Sequence, residues 1–194
     1  MAEIHSADLV RAARLVARDE ATAEELLREL GPEMLGFSRR MLGDPQRAED
    51  VVQETLLAAL GSADGYDGRV SLRAWMYGIL RHKIFDSMRR AGRERYVSGD
   101  DPELSGFRPD GGWKKDVTFA PWDENAEVLA VVQRCIDDLP HGQREALLLR
   151  TVEGLSSQEA ADLLDLSNAN LRQIVHRARQ SVRRCADGRL GENR

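Results

Sequence analysis

Apolar residues recur along this chain at intervals of three and four, the period of helices that bury one side. The first run covers residues 8–18, with Leu9, Val10, Ala13, Val16 and Ala17 together. Thr22 and Glu25 have the spacing of a capping box and predict that the next helix starts there. Leu26, Leu27, Leu30, Met34, Phe37 and Met41 carry it to Leu42, across a Gly31-Pro32 pair that either kinks or restarts it. Asp44 as cap and Pro45 at the first position open a third helix over residues 45–60, with Val51, Val52, Leu56, Leu57 and Leu60 inward. A fourth follows a polar loop at residues 67–71, its stripe made of Leu72, Trp75, Met76, Ile79 and Leu80.

Between Ala91 and Asp123 the periodicity stops, and glycine, proline and aspartate dominate. This reads as a linker. Phe107, Trp113, Phe119 and Trp122 are costly to leave in water, so docking on a partner or partial order is expected there. Helical spacing then returns. Asp123 or Asn125 starts a helix containing Val128, Leu129, Val132 and Ile136, which ends near Asp138 because Pro140 restricts Leu139. Residues 143–152 form the next, stopped by Gly154. Ser156 and Glu159 form a capping box for a short helix that closes at Leu163 and Leu164. Asp165, Leu166 and Ser167 make a tight connection, and Ser167 caps a last helix striped by Leu171, Ile174, Val175, Ala178 and Val182. The expected fold is all-α: two small helical domains, residues 1–95 and 123–188, joined by a flexible linker at 96–122, with a tail at 189–194.

Composition sharpens this only through its distribution. A net charge of -5 over 194 residues excludes a uniformly basic nucleic-acid binder, but local clusters set the field near a surface. Acids gather at residues 44–54 and 100–127, whereas 66–95 and 168–184 are basic, the latter without a single acid. Cys135 and Cys185 lack C-x-x-C spacing, so reduced thiols are expected rather than a disulfide. His5, His82, His141 and His176 are scattered, and neither a metal site nor a cofactor is expected. There is no membrane-length apolar run and no signal-peptide h-region, which predicts a soluble intracellular protein.

Three stretches carry candidate chemistry. On the fourth helix Arg73, Tyr77 and Arg81 fall four apart, with Lys83, Arg89, Arg90, Arg93 and Arg95 continuing the charge. Cations that neutralise phosphate beside a ring that stacks on bases suit single-stranded nucleic acid, and a solvated basic face is the plainer alternative. Asp50, Gln53 and Glu54 form a compact patch on the third helix, a docking face if its partner is basic and otherwise a solvated one. The short helix, three-residue turn and long basic helix at 156–184 have the helix-turn-helix arrangement, with Arg172, Arg177, Arg179, Arg183 and Arg184 on the second helix.

The runs DPQRAEDVVQETLLAAL, SLRAWMYGILRHKIFD, LPHGQREALLLRTVEGLSSQEAADLL and HRAR, in that order, resemble the extracytoplasmic-function sigma factors of bacterial RNA polymerase. The likeness implies a sigma-2 domain and a sigma-4 domain without the domain that separates them in larger sigma factors. It implies that Asp50, Gln53 and Glu54 dock on the basic clamp coiled coil of the beta-prime subunit, and that sigma-4 meets the beta flap. Asp67, Gly68, Arg69, Val70, Ser71 and Leu72 match the loop that captures an extruded base of the promoter -10 element. Trp75 matches the upstream edge of the melted region, where it wedges or simply packs, and Arg73, Tyr77, Arg81 and Lys83 line the strand. Asn168, Asn170, Arg172, Gln173, His176 and Arg177 match the -35 recognition helix, with Arg179 and Arg183 placed for phosphates. Asn170 departs from the threonine common in the family, which leaves the cap and base contacts open. Promoter DNA, core polymerase and an anti-sigma factor are the implied partners, in a bacterial cytoplasm, with no enzymatic activity of the chain's own. The alternative is a helix-turn-helix regulator that binds duplex DNA without joining polymerase. It leaves the Asp50–Glu54 cluster and Trp75 unexplained. A small enzyme ranks last, because the sequence has neither a phosphate-binding glycine loop nor a nucleophile elbow.

Overall fold

The computed structural model describes residues 6–91 and 126–191. The linker aromatics Phe107, Trp113, Phe119 and Trp122, and the expected caps Asp123 and Asn125, lie outside them. Among the described residues the regular elements are helices α1 (Ser6–Val16), α2 (Glu20–Leu42), α3 (Pro45–Ser62), a 3-10 turn (Ala63–Gly65), α4 (Leu72–Arg90), α5 (Ala126–Asp137), α6 (His141–Thr151), α7 (Ser157–Leu163) and α8 (Asn168–Gly191). α8 thus runs past residue 189, where a tail was expected.

Helix starts follow local side-chain chemistry. The Asp44 carboxylate accepts from the Arg47 amide at 3.2 Å, with Pro45 in the first turn. Ser71 caps α4 through the Ala74 amide at 3.2 Å. Ser156 and Glu159 close a reciprocal capping box on α7, and the Ser167 hydroxyl accepts from the Asn170 amide at 3.2 Å. One start differs. α2 begins at Glu20, with Asp19 in the capping place, so Thr22 is already helical and buried. Its hydroxyl donates to Asp19 Oδ2 at 2.6 Å instead of capping its own successor residues. α2 also runs unbroken through Pro32, whose position on the exposed side lets water reach the carbonyl that proline leaves without a donor.

The N-terminal helices close around Leu30, Met34, Phe37, Leu72, Met76, Leu80 and Ile84, and the C-terminal ones around Leu148, Leu149, Leu155 and Leu171. Tyr77 belongs to this interior as well. It is 0% exposed and meets the Phe37 ring edge-on, centroids 5.6 Å apart. The two halves share one apolar core through Leu163 and the α6 side chains. A separate small cluster of Val131, Cys135 and Ala186 joins α5 to α8. There Cys135 and Cys185, with Cα atoms 5.8 Å apart, form a disulfide. The expectation of reduced thiols fails because two helices that pack side by side bring together cysteines 50 residues apart.

Candidate nucleic-acid and polymerase interfaces

Asp50 and Gln53 are exposed on α3, and Glu54 is half-buried beside them. Glu54 pairs with Lys83 at 3.6 Å and with Arg90 at 3.5 Å. Arg47, Asp50, Val51, Glu54, Ser87 and Arg90 line a shallow cleft between α3 and α4. Arg47 fastens its far wall by donating from Nε to the Ser87 hydroxyl at 3.1 Å. Leu57 and Leu60, expected inward, instead stand 70% and 43% exposed. Leu57 lies seven residues from Asp50, two helical turns along the same face. The patch is therefore acidic at one end and apolar at the other, and the apolar half was missed because five apolar residues on α3 were all assigned inward.

The loop before α4 is held from three sides. The Tyr66 hydroxyl donates to the Val70 carbonyl at 2.6 Å, and burial, with Asp8, Asp67 and Glu159 adding, pushes that phenol up to about 12. Gly68 has φ 74°, and a Cβ there would stand 3.0 Å from Leu9 Cγ. The Asp8 carboxylate of α1 accepts from the Leu72 amide at 2.8 Å. Only Asp67 and Arg69 project fully, paired with each other at 3.0 Å. Leu72 is 1% exposed and sits in the core, Val70 and Ser71 are half-buried, and Trp75 is half-buried with its ring tilted 60° against Tyr66.

Arg73, Tyr77 and Arg81 share one face of α4, and that face meets the C-terminal helices. Arg73 Nε donates to the Glu153 carbonyl at 3.0 Å, and its other end pairs with Glu33 of α2. The Tyr77 hydroxyl donates to the Glu153 carboxylate. Arg81 Nε lies 2.9 Å from Glu145 Oε1. Burial pushes the Glu145 carboxyl up, and Arg81 offsets only part of that. Burial likewise raises Glu153, against the Tyr77 hydrogen bond and Arg73, and raises the Tyr77 phenol. The Ser71 amide donates to Glu159 Oε1 at 3.2 Å, and the Ser71 hydroxyl to the same oxygen. Burial would lift the Glu159 carboxyl, but hydrogen bonds from Ser71 and Ser156 bring it below its ordinary range.

On α8 the predicted residues stay together on the outer side. Arg172 is exposed, while Asn168, Asn170, Gln173, His176, Arg177 and Arg179 are half-exposed. Arg172 Nε donates to the Asn168 carbonyl at 3.2 Å, and the Asn168 amide donates to Gln158 of α7 at 2.6 Å. Gln180 Nε2 and His176 Nε2 lie 3.5 Å apart. Among the described residues no carboxylate pairs with Arg172, Arg177 or Arg179, whereas Arg183 reaches Asp187 at 3.8 Å. Also among the described residues, no group of His, Cys, Asp and Glu is placed to hold a metal ion, and no helix is long and apolar enough to cross a membrane.

Residues 26–94 match the Sigma-70 region 2 family and residues 129–182 the Sigma-70, region 4 family. The ECF RNA polymerase sigma factor SigD of Mycobacterium bovis is 33% identical over 178 residues, covering 88% of this chain and 80% of that one. The ECF RNA polymerase sigma factor EcfG of Rhodopseudomonas palustris is 30% identical, covering 78% and 77%. Among solved structures, the sigma factor RpoE of Bartonella quintana, in complex with the anti-sigma factor NepR, aligns at a TM-score of 0.62 with 28% identity, over 84% of this chain and 94% of that one. CnrH, in complex with the cytosolic domain of CnrY, aligns at 0.66 with 25% identity, over 94% and 98%. With both regions present in order and whole-chain relatives at this level, the chain belongs to the ECF sigma factors of RNA polymerase.

Proposed function

We propose that this sigma factor divides its work among three helices. The acidic and apolar face of α3, carried by Asp50, Gln53, Glu54 and Leu57, docks on the basic beta-prime clamp of core polymerase, while sigma-4 meets the beta flap. The loop at residues 67–71 takes a flipped base of the -10 element, with Leu72 anchoring it in the core. Trp75 borders the melted region, and Arg73, Arg81 and Lys83 follow the separated strand, with Tyr77 buried beneath them. The N-terminal end of α8 reads the -35 element through Asn168, Asn170, Arg172, Gln173, His176 and Arg177, with Arg179 on phosphate. The single observation that supports this reading most is the pairing, in one chain, of an exposed carboxylate and leucine face on α3 with an α8 outer face that carries arginines and no acid before Asp187. A plain duplex-binding regulator needs only the second.

In this reading residues 1–95 act as sigma-2, 96–122 as linker and 123–188 as sigma-4, and the chain is a specificity subunit in a bacterial cytoplasm that leaves phosphoryl transfer to the polymerase. The structural relative bound to the anti-sigma factor NepR supports an anti-sigma partner here too. Run-off transcription with purified core polymerase and genomic fragments tests the assignment. Defined transcripts that vanish with Asp50→Ala/Gln53→Ala/Glu54→Ala are expected; DNA binding without any transcript would favour the regulator.

A further inference from the structure

We propose that α1 is the positioning element of the base-capture loop, with Asp8 and Leu9 setting where the arch at residues 67–71 stands and hence which base it accepts. This rests on the assignment of that loop to the -10 element, and adds two residues that act through the loop rather than on DNA. The buried stripe of α1 is Ala12 and Leu15, and one turn earlier the same stripe reaches Asp8. A carboxylate in that place needs a partner, and it finds one 64 residues further on: Asp8 Oδ2 accepts from the Leu72 amide at 2.8 Å. That amide opens α4, so the acid meets the positive end of a helix dipole. The next residue, Leu9, lies against the loop at Gly68, where a Cβ would stand 3.0–3.2 Å from three of its side-chain carbons.

Tyr66 and Leu72 root the two ends of the arch in the core. The hydrogen bonds inside it, from the Tyr66 hydroxyl to the Val70 carbonyl and from the Arg69 amide to Asp67 Oδ1, join residues two to four apart. They shape the arch without orienting it. α1 meets it from outside at both Gly68 and Leu72, and α1 is itself braced, because Arg11 pairs with Glu29 at 2.6 Å and Glu25 at 3.6 Å on α2. The contact from Glu159 to Ser71 comes from the C-terminal domain, whereas Asp8 and Leu9 belong to the same domain as the loop. A pocket for a flipped base must be formed beforehand, since its contacts have to offset unstacking. A pocket displaced by about 1 Å loses much of that advantage.

The test uses the full-length protein with core polymerase on the strongest promoter from the genomic run-off assay, carrying each of the four bases in turn at every -10 position. Single-round transcript yield gives the preference at each position. Asp8→Ala is expected to reduce discrimination about tenfold at the captured position, the size of one lost buried hydrogen bond, and to leave the other positions unchanged. Asp8→Asn keeps an oxygen for the Leu72 amide and should retain most of the preference. Thr22→Ala removes the hydrogen bond to Asp19 beyond the other end of α1, and should lower thermal stability without changing the preference. Should Asp8→Ala lose its helical circular dichroism, Leu9→Ala in the same assay carries the test, with the same position affected. Parental discrimination in the folded variants overturns the proposal, as does an even loss across the -10 element. An equal loss in Asp8→Asn or in Thr22→Ala overturns it too. Asp67→Ala/Arg69→Ala separates the two levels. If that pair leaves every -10 preference intact, the assignment of the loop falls; if it shifts a position that Asp8→Ala and Leu9→Ala leave alone, positioning by α1 falls by itself.

Discussion

α4 and α8 are both arginine-rich helices with a buried stripe, yet the structure treats their charge in opposite ways. On α4 Arg73, Arg81, Lys83, Arg89 and Arg90 all pair with carboxylates. On α8 Arg172, Arg177 and Arg179 pair with none among the described residues. Basic content alone therefore does not say which surface is ready for nucleic acid. The neighbours decide: α4 is wrapped by α1, α2, α3 and α7 and reached by Glu145 of α6, so that acids meet its arginines from several sides, whereas α8 packs on α5, α6 and α7 with its outer side left open.

The largest expected effect separates how the two helices are held. α4 rests on a broad core, but the far end of α8 is tied to α5 by Cys135–Cys185, which closes a loop spanning 50 residues. On the chain-entropy account such a link stabilises by about 4 kcal/mol. Cys135→Ser/Cys185→Ser should therefore lower the chemical-denaturation stability of the C-terminal domain by nearly that amount while the N-terminal transition stays put. Coincident loss of both would show that the two domains unfold as one.

Next in size is the difference in DNA readout. Arg172→Ala should cost on the order of 1–3 kcal/mol at one -35 position if the guanidinium contacts a base edge bidentately. Competition binding across single-base promoter variants measures it, and an equal loss on all of them would make Arg172 a phosphate contact, the role proposed for Arg179.

A third experiment probes the α4 side by pH. The His141 ring lies against Phe85 of α4, centroids 5.7 Å apart. Burial, then Arg144 and Arg81, lower it from 6.5 to about 4. The unfolded chain takes up this proton below pH 6.5 and the folded one only near 4, so the contribution is complete above 6.5 and declines as pH falls. Between pH 6.5 and 5 the loss is about 2 kcal/mol. Glu145 and Glu153, raised by burial, work in the opposite sense. His141→Gln isolates the histidine: the loss of stability from pH 6.5 to 5 seen in urea melts of the parent should be absent in the variant. The smallest effect is local to the turn before α8, where Ser167→Ala should cost about 1 kcal/mol of thermal stability through the lost cap.

These features were not equally legible. Caps at Asp44, Ser156 and Ser167 could be read because each involves residues within one turn. Thr22 has the right spacing as well, but Asp19 pre-empted it, and spacing cannot rank two competing caps. Tyr77 fell on the basic face by periodicity, and nothing local says that a second domain covers that face and buries the ring. Glu145 and Glu159 on short helices, and Glu153 in the turn between them, look like ordinary solvated acids until the domains meet. The pairing of Cys135 with Cys185 and the exposure of Leu57 likewise depend on which helices become neighbours. That information is tertiary.

The contact of Gly68 with Leu9 limits how this protein can diversify. Any larger residue at 68 would have to adopt a left-handed backbone and displace a leucine from the N-terminal helix, so the arch of the loop is fixed together with α1. Under the proposed base capture, preference should accordingly be tuned by exchange at positions 67 and 69, the two that project fully, while the scaffold beneath them stays the same.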